Sequence, residues 1–147
     1  MALIARRIAA ICPAWHEVRP TTYDKYLGFL VGPRVVDTLQ WEAPMDKYIA
    51  RCRFIAKIGL GWGQAVALHN VVAMPVLTYV AQAQGSYGIR TVDLDRAIAI
   101  LLKSPMHRPT YMFVSRYHHL GVPLQLRDVL LECQAVLVRT AITARSL

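Results

Sequence analysis

From Ile58 to Ile89 the chain carries no charged side chain when histidine is neutral. No other feature limits the possible folds so sharply. An uncharged run of this length either crosses a membrane or lies inside a protein core. Gly59, Gly61, Gly63, Gln64, His69, Asn70, Pro75, Gln82 and Gln84 interrupt it. Hydrocarbon would leave the polar side chains among them without partners, so a core helix is the favoured reading. A membrane-associated helix within residues 58–89 is an alternative. The helix is predicted over residues 64–84, apolar on nearly all sides and therefore central, with Pro75 kinking or splitting it.

Its neighbours follow from spacing. Residues 2–11 suggest a short helix that stops before Pro13. Trp15–Arg19 alternates like a strand, and Tyr26–Val31 reads as a second strand able to pair with it. Residues 35–42 are ambiguous between a helical turn and a loop. Pro44 sits where a first-turn proline belongs, with Asp46 complementing the helix dipole. Met45, Tyr48, Ile49, Cys52, Ile55 and Ala56 then share one face, and the Gly59–Gly63 cluster ends the helix. Thr91 or Asp93 is expected to cap a third helix running to about Lys103. Tyr111–Leu120 suggests a fourth, and residues 124–144 a last one, striped by Leu126, Leu130, Cys133, Leu137 and Ala141. The expected fold is mainly α: a small N-terminal β-hairpin, then about five helices around the buried segment 64–84. Residues 1–33 (helix and hairpin) and 43–147 (helical region) are read as parts of one domain, which 147 residues can support.

Seventeen basic residues against nine acidic ones give a net charge of +8, and thirteen of the basic residues are arginine. That excess favours a nucleic acid or another anionic surface as partner, although a merely solvated surface has the same composition. Cys12, Cys52 and Cys133 are odd in number and widely spaced. They read as reduced thiols in an intracellular protein, of cytoplasm or nucleus, rather than as disulfides or zinc ligands. The N-terminal segment has the arginines of a mitochondrial presequence without its serines, so import remains open and an ordinary helix is preferred.

Catalytic patterns are missing from the sequence. Adjacent His118 and His119 would point apart on a helix, and no carboxylate stands at metal-site spacing. Asp93 and Asp95 fit a helix start, while Asp128 and Glu132 have Arg127 and Arg139 nearby for surface pairing. The glycines around Trp62 lack the lysine of a phosphate loop. No catalytic residue, cofactor or metal site is therefore expected. The remaining candidate is a basic helix face: Lys47, Arg51, Arg53 and Lys57 span roughly 15 Å of helix, with Phe54 among them for stacking. Phosphates recur every few ångströms along a strand, so such a ridge can neutralise several at once.

The order Lys25-Tyr26-Leu27-Gly28, Trp41, Lys47, Arg51, Asn70, Val76-Leu77 and Tyr79 to Gln82 resembles the palm end and thumb of non-LTR (LINE-type) retrotransposon reverse transcriptases. Leu120-Gly121-Val122-Pro123, followed by an arginine-bearing helix, is similar to the downstream part of such proteins. The likeness covers roughly residues 14–145 and is strongest up to residue 84. It implies a thumb that grips RNA or RNA–DNA duplex by its backbone through Lys47, Arg51, Arg53 and Lys57, with Lys25 near the primer end. It does not carry catalysis, because the aromatic-x-Asp-Asp turn of the palm has no counterpart here. It further implies a piece of a longer reading frame and a palm domain as a possible partner. Two other readings are a helical protein-interaction module and a membrane-associated helical protein.

Overall fold

The computed structural model describes residues 2–13, 21–26, 28–33, 35–104, 114–121 and 125–145. The protein is mainly α with a two-stranded antiparallel hairpin near its N-terminus. The chain divides into two compact units, residues 1–36 and 37–147.

The first unit holds α1 (Ala2–Ile11) and the hairpin of β1 (Asp24–Tyr26) and β2 (Phe29–Val31). Asp24 pairs with Val31, Lys25 with Leu30 and Tyr26 with Phe29. The stretch expected to form the second strand, Tyr26–Val31, thus holds the end of β1, the turn and all of β2. Gly28 explains this: at φ +91° it takes a conformation that favours glycine, and the chain reverses there instead of running straight to Val31. The other expected strand, residues 15–19, lies outside the described residues.

The second unit is built on α2 (Asp37–Ile58), which starts two turns before the expected position, so Pro44 is an interior residue. An interior proline costs about 3 kcal/mol in an isolated helix. Burial on the upstream turns offsets it. Trp41 is 1 % exposed and donates its indole N–H to the Gly85 carbonyl at 3.2 Å. Removing a buried tryptophan costs about 3–5 kcal/mol, enough to hold those turns helical across the proline. Asp46 consequently lies well inside the helix and is no dipole partner for its first turn. The core face is the expected one: Met45, Tyr48, Ile49, Cys52 and Ile55 are buried. Gly59, at φ +79°, ends the helix.

Pro75 neither splits nor sharply ends the central helix. The segment runs as α3 (Trp62–Leu68), a π turn (His69–Ala73) and α4 (Met74–Ala81). Proline cannot donate to the fourth carbonyl before it and crowds that carbonyl. One wide turn just upstream opens the space, with the Met74 N–H reaching back to the His69 carbonyl. The inner side of this helix is buried through His69, Ala73, Met74, Leu77, Val80 and Ala81. Its outer side is open to solvent, with Val71 at 72 % exposure.

Around this pair, α5 (Thr91–Leu101) packs on α2, and α6 (Val129–Arg145) packs on α4. The layer order is therefore α5, α2, α4, α6. Leu94, Ala97, Ile98 and Leu101 form the buried stripe of α5, at helical spacing. Arg90, not Thr91 or Asp93, occupies the N-cap position of α5, without a side-chain cap bond; Asp93 instead accepts from the Arg90 guanidinium at 2.7 Å. The last helix starts at Val129, later than expected, because Asp128 caps it: its Oδ1 accepts from the Leu130 and Leu131 N–H groups at 2.9 and 3.2 Å. Leu126 is buried from the non-helical segment ahead of that cap, and Ala141 at the far end is exposed. Of the expected helix at 111–120, residues 111–113 lie outside the described set, and its end is a 3₁₀ turn at Tyr117–Leu120.

Candidate nucleic-acid interface

The second half of α2 turns Lys47, Arg53, Phe54 and Lys57 to solvent, opposite the buried face. None of the three cations has an ion-pair partner among the described residues. Phe54 is 62 % exposed, and Trp62, just past the glycine turn, is 58 % exposed. The three cations and Phe54 thus share one helix, and Trp62 opens the next. That combination can meet phosphates and stack on bases. The acids of α2 come earlier in the helix: Asp37 is its first residue, and Glu42 and Asp46 border a cleft with Arg90, Asp93 and Arg96.

Arg51 behaves differently from the other three. It is half-buried, and its Nη1 donates to the Val72 carbonyl in the π turn. A π turn shifts carbonyls out of the regular helical ladder, and a buried carbonyl needs a donor. Arg51 supplies one, so part of its hydrogen-bonding capacity is committed inside the fold. Lys25 belongs to the first unit. It is exposed on β1, and its backbone N–H donates to Asp24 Oδ1 at 2.7 Å.

Sequence reasoning did not find the polar network beneath this face. The Tyr48 hydroxyl donates to His69 Nε2 at 2.8 Å, and the rings meet edge to face with centroids 5.6 Å apart. His69 Nδ1 donates to Asn70 Oδ1 at 3.2 Å. Asn70 Oδ1 also accepts from the Arg127 N–H at 3.2 Å, while its Nδ2 donates to the Gln125 carbonyl at 2.8 Å. The chain of bonds fixes the Nδ1–H tautomer of His69 and joins α2, the π turn and the non-helical lead-in to α6. His69 has no exposed surface, and burial pushes its pKa down to about 4, partly opposed by the bond to Asn70. One signal was available in the sequence: a His-Asn pair inside an uncharged helix must find partners once buried.

Other reactive groups are closed off. Burial pushes the Cys52 thiol up to about 12 despite a hydrogen bond with Tyr48. Cys133 is also pushed to about 12, first by burial and then by the charges of Glu132 and Asp128. Both thiols are protonated at neutral pH and poor nucleophiles. His118 and His119 do not point apart: the 3₁₀ turn brings their ring centroids to 3.9 Å, and His118 Nδ1 donates to the Ser115 carbonyl at 2.8 Å. Among the described residues no cluster of three His, Cys, Asp or Glu side chains could hold a metal ion. Asp128 serves as a cap, and Glu132 lies 3.7 Å from Arg127. By length and composition Trp62–Ala81 could cross a membrane. No family model matches the sequence, and no curated protein or solved structure is significantly similar to it.

Proposed function

We propose that the helical unit binds the phosphate backbone of RNA or RNA–DNA duplex through the outer side of α2, without sequence preference and without acting chemically on it. The observation that carries this reading is the set Lys47, Arg53 and Lys57, exposed and lacking ion-pair partners among the described residues, on one helix beside exposed Phe54. Cations already paired to carboxylates gain little from a phosphate; these three are free to displace counterions. Arg51 contributes mainly by holding the π turn against α2, and Lys25 is a secondary candidate on the other unit. The resemblance to a reverse-transcriptase thumb is in keeping with gripping rather than catalysis.

Filter binding to a duplex across a range of salt concentrations tests the assignment. Lys47→Gln, Arg53→Gln and Lys57→Gln together should weaken binding and reduce the slope of log affinity against log salt by about two to three, near 0.9 for each phosphate no longer neutralised. An unchanged affinity and slope in a folded triple variant would remove α2 from the interface. A second reading, a protein-interaction module, draws on the outward side of the central helix, where Ala67, Val71, Pro75 and Tyr79 form an exposed uncharged stripe. It expects salt-insensitive association with a protein such as a palm domain and no measurable duplex binding. The same stripe is what a membrane-associated form would use; resistance of membrane-bound protein to carbonate extraction would favour that third reading.

A further inference from the structure

Among the described residues nothing covers the outer side of α6, and its pattern matches itself in reverse. The inner side packs on α4 through Val129 and Cys133, with Leu130, Val136 and Leu137 half-buried. From Val138 to Arg145 every residue is exposed, so the last two turns extend past the layer that holds the helix. Opposite the packed side, Leu131, Ala135, Val138 and Ile142 follow one another at spacings of four, three and four. Leu131 is 63 %, Val138 56 % and Ile142 64 % exposed. A seam with this spacing is what two helices use to pack along each other. The nearby threonines place no polar demand on it: the Thr140 and Thr143 hydroxyls donate back to the Val136 and Arg139 carbonyls, each at 3.0 Å.

Charge identifies what covers the seam. Asp128 stands three residues before Leu131 at its start, and Arg145 three residues after Ile142 at its end. Glu132 and Arg139 lie on one flank. If a second α6 runs antiparallel, with the two-fold axis between residues 136 and 137, Leu131 faces Ile142 and Ala135 faces Val138. Asp128 then meets Arg145, Glu132 lies beside Arg139, and the symmetry repeats each pair. A parallel pair would instead set Asp128 against Asp128 and Arg145 against Arg145 along the seam, which like charges oppose. A cleft of about 550 Å³ lies beside the seam, between Leu131 and Ala135 on one side and Ser115, Arg116, His118 and His119 on the other.

We infer that the protein forms a two-fold symmetric dimer in which α6 packs antiparallel against α6 of a second copy, through Leu131, Ala135, Val138 and Ile142. The surface is separate from the cations of α2, so dimerisation and duplex binding are tested independently. Sedimentation equilibrium of the full chain should show a reversible monomer–dimer exchange. Ile142→Asp places a charge in the seam twice by symmetry and should raise the dissociation constant more than about a hundredfold, with helicity and melting of the monomer unchanged. Glu132→Arg and Arg139→Glu should each weaken the dimer about tenfold, and the double exchange should restore it, because the paired signs are opposite again. Mixing the two single variants should also give a heterodimer tighter than either homodimer. A chain that stays monomeric throughout, a dimer indifferent to Ile142→Asp, or a double exchange no better than its single members would each overturn the inference.

Discussion

His69 has no solvent-exposed surface, yet both ring nitrogens have partners: Nε2 accepts from Tyr48 and Nδ1 donates to Asn70. Taking Tyr48 to phenylalanine would strand the Nε2 lone pair in the core and should cost about 1–3 kcal/mol in urea denaturation. A Phe variant as stable as the parent would mean that the bond carries no net weight. The depressed pKa adds a pH dependence. His69 titrates near 6.5 when unfolded and near 4 when folded, so between those values the unfolded chain binds more protons. Stability is fully present above about pH 6.5 and should fall as pH drops toward 4, by up to about 3 kcal/mol. Unfolding midpoints at pH 7 and pH 4.5 check this, and the part due to His69 should vanish in His69→Gln. Arg51 belongs to the same scale. Its substitution by glutamine, which withdraws a donor from the Val72 carbonyl, should lower stability by about 1–2 kcal/mol. The exposed Lys47→Gln change should leave stability within about 0.5 kcal/mol.

Two helix ends and one helix interior show where local rules yield to packing. The interior is α2, whose second half was legible from the spacing of Met45, Tyr48, Ile49, Cys52 and Ile55. Its first two turns were not, because a proline at position 44 ordinarily marks a start, and the burial of Trp41 against the 85–88 region overrides that rule. The start of α6 was misplaced for the opposite reason: Leu126 continues the apolar stripe in sequence, yet it is buried from a non-helical segment while Asp128 sets the cap. The end of α5 carries a testable strain. Lys103 takes φ +52°, with its N–H on the Ile100 carbonyl and the Ser104 N–H on that of Ala99. Glycine is the usual residue at this position of the motif. Lys103→Gly should therefore raise stability by about 0.5–1 kcal/mol, measured by thermal denaturation, despite the greater freedom it gives the unfolded chain.

At the scale of the molecule, the uncharged run between Lys57 and Arg90 organises the helical unit: one side of the 62–81 helix is pressed between α2 and α6. If the inferred dimer forms, each particle carries two α2 faces. Duplex binding by the parent should then be tighter than that of the monomeric Ile142→Asp variant at concentrations where the parent is dimeric, by avidity alone. Equal binding by both would indicate that only one face is engaged at a time. The candidate interface was half legible from the chain. Helical periodicity put Lys47, Arg53 and Lys57 on the side of α2 away from its apolar stripe, and it put Arg51 with them. Periodicity cannot see a carbonyl on another element, so the diversion of Arg51 to Val72 was invisible. By itself, then, the sequence determined the helical class, the core face of α2 and the apolar character of its neighbour, because these depend on spacing along one chain. Tertiary structure alone decided that Pro44 stays inside a helix, that Pro75 is absorbed by a π turn, and that His69, Asn70 and Arg51 become fastenings. Those outcomes depend on which buried polar group meets which partner from a distant segment, a condition that local spacing does not encode.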